Sequence, residues 1–365
     1  MFRLALMSLL PLFVGAAVFA QKKGSSAIAR VGLEDPFTAK DAKVMQRLGV
    51  VAYGPLTWAD DLRTTDIEKV LGEGRFLWME TEHFKIGSSL GFVGAPQDAK
   101  ARRLLKGETR RLNKKCRKIK ASQSKLGPWV RVHLYAQRAE DLHAEFCRLS
   151  GRSSLGKQKL LVLLFQKKSD LARYLNRFCG KSSQQSQRHA HSRTGHHAVV
   201  ITAEGDDGPR DCATVHAQFR FLTVQMLVDA AGGAPYWLSY GLAHWFERQV
   251  PCNLINCGIR ADESVDPSTQ YEWREKMRKR ARHEELCIPF VKLCRATDLG
   301  YYGHVQSWSR VDYLLQDRDR FGEFFAAVLG NGSRSRQIAA LASAYELAPE
   351  EFDQAWRKWV MKTYK

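Results

Sequence analysis

Two segments between residues 212 and 247 concentrate the side chains able to do chemistry. In Ala213-Thr214-Val215-His216-Ala217-Gln218-Phe219-Arg220, the apolar residues Val215, Phe219, Leu222 and Met226 recur at helical spacing. His216 and Arg220, four apart, then share a neighbouring face. An imidazole there can ligate a metal or move a proton, whereas a guanidinium stays charged and does neither. The second segment, Pro235-Tyr236-Trp237-Leu238-Ser239-Tyr240-Gly241-Leu242-Ala243-His244-Trp245-Phe246-Glu247, sets Tyr240 24 residues after His216.

Other stretches invite chemistry less strongly. The tract Arg188-His189-Ala190-His191-Ser192-Arg193-Thr194-Gly195-His196-His197 holds four of the eleven histidines. Short His-rich tracts bind transition metals, but the flanking Ser, Gln and Gly describe a mobile surface loop. His283-Glu284-Glu285-Leu286-Cys287 starts like a zinc-binding helix, then has Cys where a second His belongs; it reads as a solvated face. Ser239 has no G-x-S-x-G frame, so a serine hydrolase has little support. Asn331-Gly332-Ser333 fits a glycosylation sequon and equally a turn.

The pair of segments resembles the zinc-binding helices of peptidase-MA-like gluzincin metallopeptidases. In that family the first helix carries H-E-x-x-H and the second W-L-S-E-G-L-A-E-Y-F-E, close to Trp237-Leu238-Ser239-Tyr240-Gly241-Leu242-Ala243-His244-Trp245-Phe246-Glu247. Two His at i and i+4 hold zinc, the Glu between them is the general base, and the distant Glu is the third ligand. Carried over one residue at a time, the resemblance keeps the first ligand as His216. The base position is Ala217, the second-His position is Arg220, and the third-ligand position is Tyr240. A catalytic zinc needs three protein ligands, so the resemblance implies a pseudopeptidase with no cofactor. In it His216 is a satisfied buried histidine, while Arg220 and Tyr240 fill the former metal cavity. The alternative is a metal-dependent hydrolase that holds zinc through His216, His244 and Glu247, because the last two follow Tyr240 by one and two helical turns.

Around these helices the chain reads as α+β and zincin-like: a small mixed sheet with helices, then a mainly helical C-terminal half. Residues 1–20 form a signal peptide and 21–74 a polar N-terminal segment with short helices broken at Gly54-Pro55. Residues 75–205 form the sheet subdomain, and 206–365 the helical subdomain with the degenerate motif. Strands are expected at 76–78 and 82–86. Another is expected where Val130, Val132 and Leu134 alternate with Arg131, His133 and Tyr135. Leu160–Phe165 and Ala198–Thr202 complete the set. Helices are expected at 98–121, 138–149 and 168–179.

Composition bounds the partners. The hydrophobic fraction of 44% and charged fraction of 26% exclude a disordered or fibrous chain, and a single apolar run at the N-terminus excludes a polytopic membrane protein. That run, Leu4 to Phe19 behind Arg3 and before Ala20-Gln21, implies export to a periplasmic, secreted or cell-envelope site. An oxidising compartment makes disulfides the natural use of eight cysteines, with Cys252–Cys257 and Cys287–Cys294 the nearest pairs; Cys147 and Cys179 lie on apolar helical stripes as free thiols. The net charge of +19 concentrates in Lys100–Lys120, with eleven Lys or Arg against one Glu, and in Arg274–Arg282. Such fields suit an anionic polymer, a membrane surface or an acidic protein. Nucleic acid is not implied, because no recognised module accompanies the charge.

Overall fold

The computed structural model describes residues 27–364 except 60, 121–123, 153–157, 183–185, 206–207, 253–271 and 331. The helices are α1 (Ala27–Val31), α2 (Ala42–Leu48), α3 (Thr64–Leu71), α4 (Ala99–Lys115), α5 (Pro128–Ser150), α6 (Lys168–Cys179), α7 (Cys212–Ala230) and α8 (Tyr236–Glu247). They continue as α9 (Trp273–Ala281), α10 (Phe290–Leu293), α11 (Tyr301–Leu314), α12 (Arg318–Val328), α13 (Arg334–Tyr345) and α14 (Pro349–Thr363). The strands are β1 (Ala52–Tyr53), β2 (Leu77–Glu80), β3 (Phe84–Ser88), β4 (Val93–Gly94), β5 (Lys125–Leu126), β6 (Leu160–Phe165), β7 (Arg188–Arg193), β8 (His196–Thr202), β9 (Glu204–Gly205) and β10 (Gly208–Pro209). The fold is therefore α+β, with a mixed sheet and a helical C-terminal half.

The main sheet has six strands in the order β1-β2-β3-β6-β8-β7. β3, β6 and β8 run parallel, while β1 and β2 on one side and β7 on the other are antiparallel to their neighbours. Because side chains alternate along a strand, β6 serves two layers. Leu161, Leu163 and Phe165 face α3 and α6 together with Trp58, Leu71 and Leu175. Leu160, Val162 and Leu164 face the opposite core, which takes in α5, α7 and α8. Each of these fully buried side chains contributes roughly 1.5–3 kcal/mol. That second core runs from Ile28 to Phe352, so the expected segments 21–74, 75–205 and 206–365 all contribute to it.

One expected strand is a helix. Val130 to Tyr135 are early turns of the 23-residue α5, with Pro128 at its start and Gly151 in the left-handed conformation that ends it. The alternation misleads because this helix is buried on nearly every face, so no amphipathic period shows. Two of its buried polar residues have partners: Arg131 donates to Gly91 O at 2.8 Å, and His133 Nε2 lies 2.9 Å from Asp35 Oδ2. Burial works to raise the Asp35 pKa. His133, the Tyr53 hydroxyl and the Phe37 N–H outweigh it and hold this carboxyl down to about 2.

The His-rich tract is also ordered rather than a mobile loop. It forms the β7–β8 hairpin, turned by Thr194 and Gly195, both at positive φ, with Arg188 to Ala190 buried against the sheet. The expected helix 98–121 ends at Lys115, where Cys116 leaves helical conformation. By contrast 168–179 is helical over its whole expected length, and β6 and the body of β8 lie where the apolar runs placed them.

The expected Cys287–Cys294 bridge is not formed. Cys287 Sγ contacts Arg280 O and His283 O at 3.7 and 3.6 Å beside a short 3-10 turn, while Cys294 is buried at the end of α10. Cys147 and Cys179 are free thiols, while Cys252 is half-buried. Its expected partner Cys257, the signal segment 1–20 and the sequon residue Asn331 lie outside the described residues. Among the described residues, no helix is long and apolar enough to cross a membrane.

Candidate functional site

The two motif helices pack face to face. Asp211 caps α7 by accepting from Thr214 N at 2.7 Å, and α7 is buried almost all round between β8 and α8. α8 then crosses α11 so closely that a Cβ on Gly241 would sit 2.6 Å from Ser307 O. Only glycine fits this crossing.

His216 lies in the first turns of α7, 2% exposed, and neither ring nitrogen has a hydrogen-bond partner. It is buried as expected, with no protein group bonded to either nitrogen. Beside it is a cavity of about 10 Å³ bordered by Leu104, Leu105, Arg138, Cys212 and Val250. That is close to the smallest space able to hold one water. Ala217, at the general-base position, packs in an apolar group with Ala101, Ala213 and Val250. Burial pushes the His216 pKa well down, reinforced by the Arg138 and Arg220 charges, so the ring is neutral. Arg138 itself is buried and holds Glu108 with two bonds, 2.9 and 2.7 Å.

Arg220 does not enter the space beside His216. Its guanidinium reaches the C-terminal end of α8, donating to Phe246 O at 2.8 Å and to Gln249 Oε1 at 2.6 Å, over the Phe246 ring. Positive charge there complements the helix dipole. Burial lowers its pKa to about 10, which leaves it cationic at neutral pH. Tyr240 packs among Tyr236, His304 and Phe221, at ring separations of 4.4, 5.0 and 6.0 Å. The two substitutions therefore act as a helix-to-helix tie and an aromatic packing element, not as joint plugs of one hole.

His244 and Glu247 belong to another group. His244 Nδ1 lies 2.9 Å from Glu247 Oε2, and His244 Nε2 lies 3.2 Å from His304 Nδ1, which ties α8 to α11. With Nδ1 of each imidazole protonated, His304 donates to His244 and His244 donates to Glu247. Burial depresses both histidines, His304 to about 3. Among the described residues His, Cys and acidic ligand atoms converge in two places able to hold a metal, and neither includes His216, His244 or Glu247.

The first convergence is His83, Glu140 and His143; the second is Cys179, His189 and His191. Sequence reading placed His83 on a strand and Glu140, His143 and Cys179 on helices but drew no site from them, and it put His189 and His191 in a His-rich tract able to bind metal but read as a mobile loop. One signal was present, the Glu140-Asp141-Leu142-His143 spacing, which puts a carboxylate and an imidazole on one helical face. Its partner His83 is 57 residues earlier, and only the tertiary fold joins them. In the second group Lys181 Nζ lies 3.3 Å from His189 Nε2. Burial, Lys181 and Arg193 lower the His191 pKa to about 4, and burial pushes the Cys179 thiol up to about 11.

The basic segments differ in use. On α4 and its continuation all eleven Lys and Arg between Lys100 and Lys120 are exposed, and Arg111 pairs with Asp141 at 2.7 Å. In the 274–282 cluster Arg280 stacks on Tyr302 at 3.9 Å and Arg274 lies over Tyr364 at 5.6 Å, so part of that charge serves packing. The His283–Cys287 stretch is a mainly exposed 3-10 turn. Compared with known proteins, the chain matches no family model and no curated protein sequence.

Proposed function

We propose that this chain is an exported zincin-like pseudopeptidase, a protein that binds rather than hydrolyses. The observation that carries this reading is the enclosure of His216. Among the described residues the one retained ligand position belongs to no group of three metal-capable side chains, and its surroundings are Arg138, Cys212, apolar side chains and a cavity of about 10 Å³. A peptide segment and an activated water need far more room, and a buried guanidinium repels a divalent cation. The neutral, unpartnered imidazole fits a remnant position better than a working one.

Binding in this reading falls to the exposed basic face of α4, which suits an anionic polymer of the cell envelope. Its charge is carried on a helix whose apolar residues Leu105 and Leu112 anchor it to the core, so the field is presented rigidly. The test compares the untagged chain with its His216→Ala variant for bound metal and for hydrolysis of a peptide library. Identical metal content and no His216-dependent turnover support the reading. Metal or turnover that disappears with His216→Ala overturns it.

A further inference from the structure

The groups left unused by this reading include two metal-capable clusters and an open cavity of about 260 Å³ near Cys287 and Asp353. The cavity is lined by both Glu350 and Arg357, with Arg357 tied to Glu284 at 2.7 Å and Asp353 to Arg310 at 2.7 Å, so its charges other than Glu350 are already paired. In the Cys179 cluster, Lys181 and Arg193 lie close enough to lower the His191 pKa, a field that opposes a cation. The cluster at His83 has the opposite character.

We propose that His83, Glu140 and His143 form a binding site for a divalent transition metal of the zinc type, separate from the α7–α8 motif. Their ligand atoms all lie within 4.8 Å of one another. Bonds of about 2.0–2.2 Å set tetrahedral ligands about 3.4 Å apart, so a shift of about an ångström closes the set. Two imidazoles and one carboxylate are a ligand set suited to zinc and its neighbours, and three protein ligands leave one position for water or substrate.

The positions are built, not incidental. Glu140 and His143 are three apart on α5, the rigid 23-residue helix under the sheet. His83 sits in the turn between β2 and β3, and its main chain is held at both ends. Its N–H donates to Glu140 Oε1 at 3.0 Å, and its carbonyl accepts from Leu160 N at 3.0 Å. Its Nδ1 lies 2.7 Å from Glu140 Oε2. That pair alone would account for a link between α5 and the turn. It does not account for His143, whose ring stacks on His83 at 3.7 Å and 19° and makes long contacts of 3.7 and 3.9 Å to Cys147 Sγ. Two stacked imidazoles beside a carboxylate favour a single shared cation over two protonated rings.

Access and charge agree with this assignment. His83 and Glu140 side chains are each 28% exposed, so an ion can enter from solvent while His143 lies buried behind them. The nearby cation Lys159 is engaged by Glu80 at 3.0 Å and Thr81 O at 2.7 Å. Cys147 flanks His143 but falls outside the converging set.

The experiment is zinc titration of the untagged, metal-stripped chain in competition with a chromophoric chelator, with cobalt(II) spectroscopy as a second readout. One equivalent of zinc is expected to bind. His83→Ala and Glu140→Gln should each weaken it by at least about 10–100-fold, with unchanged circular dichroism spectra. Zinc should raise the denaturation midpoint of the parent chain but not of Glu140→Gln. His216→Ala, His189→Ala and Cys147→Ser should keep the parent affinity, and the cobalt spectrum should lack a thiolate charge-transfer band. No stoichiometric binding, binding indifferent to His83→Ala and Glu140→Gln, or binding lost with His189→Ala or Cys147→Ser would overturn the proposal. Loss with His216→Ala instead would also overturn the pseudopeptidase reading, so the two failures are distinguishable.

Discussion

Replacing His216 with leucine should stabilise this protein, an unusual outcome for a buried residue at a motif position. Both ring nitrogens are buried without partners, and each such group costs about 1–3 kcal/mol of desolvation. Leucine removes both costs, and imperfect shape returns up to about 1.5 kcal/mol. The two costs together exceed that return, so the net expectation at pH 7.5 is a gain of at least about 0.5 kcal/mol.

The pH dependence sharpens this test. Burial holds the folded pKa of His216 well below the ordinary histidine value of about 6.5. Below pH 6.5 the unfolded chain therefore binds a proton that the folded chain refuses. Wild-type stability is full above that pH and is lost as pH falls. A ring still neutral at pH 5 when folded forfeits about 2 kcal/mol between pH 7.5 and 5. The advantage of His216→Leu should accordingly widen by about 2 kcal/mol at pH 5. Urea denaturation at the two pH values measures it. Destabilisation by more than 1 kcal/mol at pH 7.5, or a pH-independent difference, would refute the reasoning and point to a partner or metal on the ring.

Three other outcomes follow from the same region. Glu108→Gln leaves Arg138 as an uncompensated buried cation and should cost about 3–5 kcal/mol in urea denaturation; a loss under 1 kcal/mol would mean the pair is solvated. Gly241→Ala drives a methyl into Ser307 O and should cost about 1–3 kcal/mol, read as a lowered denaturation midpoint. Reversing Arg103, Arg110 and Lys114 to Glu should weaken binding to anionic vesicles by at least about 1 kcal/mol per residue at low salt, measured by co-sedimentation. Unchanged binding would remove α4 as the docking face.

Legibility from sequence tracked how each element is buried. Leu160–Phe165 announces itself because a strand covered on both faces is a continuous apolar run, and 168–179 because one face alone is apolar. α5 misled because enclosure on all sides erases the period that marks a helix, leaving an accidental alternation at Val130 to Tyr135. The His-rich tract misled through its polar composition, although Thr194-Gly195 was a hairpin turn in plain view. At the motif, the identity of His216, Ala217, Arg220 and Tyr240 could be read from spacing. Where Arg220 and His244 point could not, since that depends on Phe246, Gln249 and His304 arriving from elsewhere in the chain. The His83 cluster was hidden for the same reason.

The parallel pairing of β3 with β6 also governs the order in which this chain can become a protein. Phe84 aligns with Leu160, so the centre of the sheet waits for α4 and α5 to be made and folded back before its fourth strand arrives. Parallel contacts of such separation are closed late, after the entropy of a long loop has been overcome. A nascent or truncated chain ending near residue 150 would hold β3 with one free edge and leave Phe76 and Trp78 without the β6 and α6 side chains they pack against, a species prone to self-association. The six apolar residues of β6 are thus a threshold in synthesis: until they arrive, the parallel centre of the sheet cannot pair.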